Sequence, residues 1–96
     1  MVRHIVFFKF KPEVSAGDRA ALIKMVRELP AKILSIEKPE VGEDFVHSPR
    51  SYDAVLNFGF ASRAALQEYS VHPDHIPVVQ RAKEICEAMA AVDFEI

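Results

Sequence analysis

The sequence has 96 residues, enough for one small domain, assigned here to residues 1–96. Half of it is hydrophobic and 27% is charged, a balance that excludes a disordered chain and a membrane-spanning one. The net charge is −2, from 14 acidic against 12 basic side chains, so no broad basic surface for nucleic acid is expected.

A core of this size is marginal on its own. A single cysteine rules out an internal disulfide, and association with a second copy is the remaining common way to bury apolar surface. No window approaches the ~18 apolar residues that a spanning helix needs. The opening stretch from Met1 is broken by Lys9 and Lys11 and does not read as a secretory leader. A cytoplasmic protein is expected.

In chain order, Val2 to Phe10 is rich in β-branched and aromatic residues and reads as a strand. Ser15 offers an N-cap, and Leu22, Met25, Val26 and Leu29 then fall on one helical face. Pro30 is expected to end or kink that helix. Ser35 to Val41 is a weaker strand. It contains Pro39, which cannot donate to a ladder, so it belongs at a sheet edge. Gly42 to Ser51 reads as a polar loop and Tyr52 to Phe60 as a second strong strand. Ser62 caps a short helix to Tyr69. After a break at Val71 to Asp74, a further helical pattern runs through Ile76, Val79, Lys83, Cys86 and Met89. Ala90 to Ile96 alternates as a last strand. The order β-α-β-β-α-α-β predicts an α+β, ferredoxin-like fold. Its four-stranded antiparallel sheet carries helices on one face, with the first and third strands central.

Both faces of the central strands carry large apolar groups. Val6, Phe8, Phe10, Leu56 and Phe58 share the more apolar face, which is assigned to the helices. Ile5, Phe7, Val55, Val92 and Phe94 would then be left open. Fully burying them is worth on the order of 7–15 kcal/mol, comparable with the whole stability of such a domain. A homodimer that packs sheet on sheet through these residues is the expected solution.

The densest polar cluster is Tyr69-Ser70-Val71-His72-Pro73-Asp74-His75, at a helix break. Four readings compete. In the first, the cluster is structural: it caps helix ends and fixes the turn. It also suits an acid–base pair, with His75 as proton acceptor and Tyr69 as hydrogen-bond donor to a carbonyl substrate. Divalent metal binding by His72, Asp74 and His75 is a third reading. It needs further ligands that the sequence does not place, so no metal is assigned. A binding site without chemistry is the fourth. His4 shares a strand face with Val6 and Phe8 and would be a further polar group at an apolar layer. Cys86 reads as a packed, inert thiol. His47 and Arg50 read as solvated loop residues, and Asp53 as a turn partner. No Gly-rich phosphate loop, nucleophile elbow or Cys-x-x-Cys pair is present, so no cofactor is expected.

The run Val2 to Lys11, the pair Val41-Gly42, the lead-in Ser51-Tyr52-Asp53 and the Tyr-x-x-His-Pro-x-His pattern from Tyr69 to His75 together resemble the stress-responsive dimeric A/B-barrel (Dabb) family over essentially the whole chain. The resemblance implies a ferredoxin-like protomer paired through its sheet, with a pocket between sheet and helices. On this chain the walls of that pocket would be His4, Val6, Phe8, Leu22, Val26, Leu56, His72 and Val79, holding a small apolar ligand. Most members have no assigned activity. One plant member closes a polyketide by aldol condensation, and its working histidine and tyrosine match His75 and Tyr69. Where that cyclase has aromatic side chains on its first helix, this chain has Leu22, Ile23 and Val26.

Overall fold

The computed structural model describes residues 1–96. Its elements are β1 (Val2–Phe10), α1 (Ala16–Lys32), β2 (Glu37–Glu43), β3 (Ala54–Phe60), α2 (Arg63–Ser70), α3 (Ile76–Ile85) and β4 (Cys86–Glu95). The sheet order is β2-β3-β1-β4 and every pairing is antiparallel. The expected ferredoxin-like architecture is therefore present, with β2 and β4 at the edges.

Local chemistry explains most of the element ends. The Ser15 hydroxyl accepts from the Asp18 backbone N–H, and Asp18 and Lys32 complement the helix dipole at opposite ends of α1. Leu22, Ile23, Val26 and Leu29 bury one face. Pro30 does not end this helix, which continues to Lys32. It sits in the last turn, where only one ladder bond is lost, and Ile33 N–H closes the end on the Leu29 carbonyl at 2.8 Å.

Several boundaries differ from the sequence reading: β2 runs on to Glu43 rather than ending at Val41, and β3 begins at Ala54 rather than Tyr52. β2 begins at Glu37 rather than Ser35, and its register slips between Glu37 and Glu40. Lys38 has φ 46°, so Pro39 sits in a bulge that needs no donor. The largest difference is at the start of β4. Cys86 and Met89 belong to β4, not to the helix that ends at Ile85. Phe10 pairs with Cys86, Phe8 with Met89, and Lys11 N–H bonds the Ile85 carbonyl at 2.9 Å. The full length of β1 thus recruits these residues into the ladder.

The helices cover one face of the sheet. Phe8, Phe10, Leu56, Phe58 and Phe60 from the sheet pack with Leu22, Val26, Leu29, Tyr69, Val78 and Ile85 in one buried cluster. On the opposite face Phe7 is 37% exposed, Val92 54% and Phe94 44%, while Ile5 and Val55 are half-buried. The loop after β2 does not fold over them, and its tip is not polar: Phe45 and Val46 stand exposed.

Candidate functional site

The helix break brings three polar rings to one place. Tyr69 ends α2 and is almost wholly buried, its ring centroid 5.0 Å from that of Phe60, 5.8 Å from His4 and 4.1 Å from His75. Its hydroxyl is buried with no hydrogen-bond partner. A buried orphan of this kind costs about 1–3 kcal/mol, so it calls for an explanation. Burial also drives the phenol pKa well above its ordinary value, so Tyr69 is a neutral donor.

His75 precedes the first turn of α3 and makes no side-chain cap bond. Its Nδ1 lies 3.3 Å from the Ser70 carbonyl. A carbonyl accepts only, so Nδ1 carries the proton and Nε2 is left as the acceptor. The His75 pKa is lowered, chiefly by burial and further by the nearby His4 and His72, against an opposing pull from the Ser70 carbonyl. The ring is thus a neutral base at neutral pH.

His4 projects from the third position of β1 toward the helices, and its Nδ1 bonds the Asp93 carboxylate on β4. The two residues are direct partners in the β1–β4 register. The pair fixes the orientation of the ring.

These side chains line a cavity of about 190 Å³ between sheet and helices. Its walls are His4, Val6, Phe8, Leu56, Tyr69, His75, Val78, Val79, Ala82 and Met89. His4 also borders a larger polar groove of about 540 Å³, shared with Arg63, Gln67, Ser70, Asp93 and Glu95.

Of the residues assigned from sequence, His4, Val6, Phe8, Leu56, Tyr69, His75 and Val79 meet at this cavity. Leu22 and Val26 do not reach it. They are packed solid in the core, because α3 rather than α1 flanks the void. His72 lies outside as well: its Nδ1 accepts from the Asp74 backbone N–H at 3.1 Å, and its carbonyl accepts from His75 and Ile76. His72 and Asp74 thus fix the turn between α2 and α3. No three His, Cys, Asp or Glu side chains come together as a metal-binding set.

Sequence reasoning missed Val78, Ala82, Met89 and Asp93. Val78 and Ala82 lie one turn apart on α3, a spacing visible in the sequence. Alternation along β4 already places Asp93 on the face opposite Val92 and Phe94. Cys86 is buried, and burial with the neighbouring Asp53 pushes its thiol pKa up, which keeps it unreactive.

The model of the stress responsive A/B barrel domain matches residues 2–96. The chain belongs to that family. Among Dabb relatives, the stress-response A/B barrel domain-containing protein DABB1 of Arabidopsis thaliana is 27% identical over 98% of this chain and 46% of its own length. The chain therefore spans less than half of that relative. It is also similar to olivetolic acid cyclase of Cannabis sativa, at 22% identity over 97% of this chain and 94% of the cyclase. A solved structure from Bacteroides fragilis, described as a dimeric protein of unknown function with a ferredoxin-like fold, is 31% identical. It superposes with a TM-score of 0.81 over 99% of this chain and 95% of that one. No helix of this Dabb domain is long and apolar enough to cross a membrane.

Proposed function

We propose that this Dabb domain works as a homodimer and that each protomer holds a small, mostly apolar ligand bearing a carbonyl or similar acceptor. The observation that carries the ligand reading is the unpartnered hydroxyl of Tyr69, a residue that lines this largely apolar cavity. An acceptor atom at that point would satisfy it, and apolar walls would hold the rest. The cavity is smaller than the roughly 300–1,000 Å³ usual for drug-sized ligands, so the occupant is a small molecule or one end of a larger one. The dimer reading draws on the uncovered face of Ile5, Phe7, Val55, Val92 and Phe94, and on the dimeric description of the Bacteroides structure. Since these residues keep about a third to two fifths of their surface in water, completing their burial is worth on the order of 2–6 kcal/mol per protomer. A cytoplasmic home belongs to the same reading, and the free thiol of Cys86 fits a reducing compartment.

Acetophenone is a suitable probe, followed by amide shifts at Val78, Ala82 and Met89. The native protein is expected to bind it, and Tyr69→Phe to bind about fivefold more weakly, the worth of one net hydrogen bond. Equal binding by both would remove the role given to the hydroxyl.

A second reading is supported by the free Nε2 of a neutral His75 beside a neutral phenol. In a cofactor-independent aldol step, Nε2 takes a proton from the carbon next to a carbonyl, and Tyr69 donates a hydrogen bond to the oxygen that gains charge. The enolate carbon then attacks a second carbonyl of the same chain, and the new alkoxide recovers the proton. The similarity to olivetolic acid cyclase favours a polyketide-like substrate for this reading. Turnover of a linear poly-β-ketone that disappears in His75→Ala, with the melting temperature kept, is the expected result. A large loss of stability would make His75 structural.

A further inference from the structure

We infer that the loop between β2 and β3 forms part of the contact between two copies of this chain, with Phe45 and Val46 packed against the partner protomer. This rests on the homodimer reading and extends the interface beyond the sheet.

Phe45 is 86% exposed and Val46 64%. Single exposed apolar residues are ordinary, but this pair is not isolated. Phe45 borders a largely apolar groove of about 580 Å³ that it shares with Phe7, Tyr52, Val55 and Ala90. The rings of Phe7 and Tyr52 lie 5.9 Å apart. One continuous apolar surface therefore runs from the uncovered sheet face to the loop tip. Glu43, Asp44 and Arg50 border the same groove, giving the polar rim usual for a protein contact.

The loop is not free to fold back over its own sheet. Asp44 N–H bonds the Asp53 carbonyl at 2.8 Å, and the Asp44 carboxylate accepts from His47 N–H at 2.7 Å. Ser48 N–H bonds the Ser51 hydroxyl at 3.0 Å. The tip is thus held outward before any partner arrives, which lowers the ordering cost of binding. The cover must come from another molecule. The uncovered sheet next to it, and the dimeric description of a structure 31% identical over 99% of this chain, name that molecule as a second copy. In a twofold dimer each side chain of the contact occurs twice, so its effect on association is doubled.

The test is the dissociation constant of the full chain by sedimentation, for the native protein, F45S/V46S and the control L34S. Leu34 is as exposed as Phe45 but follows α1, away from the sheet face. Serine at the two tip positions is expected to raise the dissociation constant about a hundredfold, with the far-ultraviolet spectrum unchanged and L34S unaffected. A native dimer left equally tight by F45S/V46S would overturn the inference while leaving the sheet-face dimer standing. Equal weakening by L34S would overturn it too. If instead the native chain, but not F45S/V46S, bound phosphatidylcholine–phosphatidylglycerol vesicles while both stayed dimeric, the tip would be a membrane contact. A native chain that is monomeric at micromolar concentration would remove the dimer reading itself.

Discussion

Replacing Tyr69 by phenylalanine is expected to stabilise the ligand-free protein. The usual outcome of Tyr→Phe in a core is a loss, because a hydrogen bond goes with the oxygen. Here the oxygen has no partner to lose. The ring contacts to Phe60 at 5.0 Å, Phe58 at 6.1 Å and His75 at 4.1 Å remain available to phenylalanine. Removing the orphan relieves a desolvation cost of about 1–3 kcal/mol. For a domain of this size each kcal/mol moves the melting temperature by about 4–8 °C. Calorimetry on ligand-free protein should therefore show a rise of at least about 4 °C, with the urea midpoint raised and the m-value unchanged. Because burial holds the phenol neutral, the rise should persist from mildly acidic to mildly alkaline pH. A fall in melting temperature would refute the reasoning, since it would mean that the hydroxyl is already satisfied when the cavity holds no ligand. Stability gained together with affinity lost is the signature of a group kept unpaired for function.

Phe7→Asp and Phe8→Asp should part company although the residues are neighbours. The first puts a charge on the open face and should yield a folded monomer by sedimentation. The second puts it in the core and should abolish the cooperative melt. His75 has a folded-state pKa below its unfolded value, so the unfolded chain binds more protons as pH falls below the ordinary histidine range. Stability at that site is full above that range and declines on acidification, and His75→Asn should flatten this part of a pH–stability curve. Gly59→Ala should cost about 1–3 kcal/mol in denaturant unfolding, because the new methyl would lie 2.6 Å from the Arg3 guanidinium and 2.8 Å from the Glu37 carbonyl.

The fold was legible where pattern and partner agree. β1 reads as a strand from Val2 to Phe10 because both of its faces are apolar and both of its neighbours are strands. The Ser15 and Ser62 caps follow from side-chain chemistry alone. Cys86 to Met89 misled because their spacing suits a helix as well as a strand, and Glu87, Ala88 and Met89 are helix formers by intrinsic propensity. Pairing with Phe8 and Phe10, some 76 or more positions away in sequence, decided it. The site was legible as a set of polar rings, but not as a cavity. Leu22 and Val26 face the correct layer, yet whether a face is filled or hollow depends on how neighbouring helices dock. Val78 and Ala82, small and one turn apart, leave the void.

On the proposed function, β4 serves the ligand site with one face and the dimer with the other. Successive side chains point to opposite faces, so Asp93 meets His4 while Val92 and Phe94 meet the open side. Neighbouring substitutions should therefore fail in different ways. Val92→Ser is expected to weaken association at least about tenfold, since a half-exposed valine of the interface is lost twice per dimer, and to leave the cavity shifts of Val78 and Ala82 in place. Asp93→Ala is expected to leave sedimentation unchanged and to cost less than about 1 kcal/mol, because the carboxylate is nearly half exposed. Its effect should fall on the His4 ring, which loses the acceptor that fixes it, and should be read as averaging of the imidazole resonances. If Asp93→Ala dissociated the dimer, or Val92→Ser freed the His4 ring, the alternation would not separate the two tasks. The apolar face turned away from the helices would then be coupled to the cavity rather than independent of it.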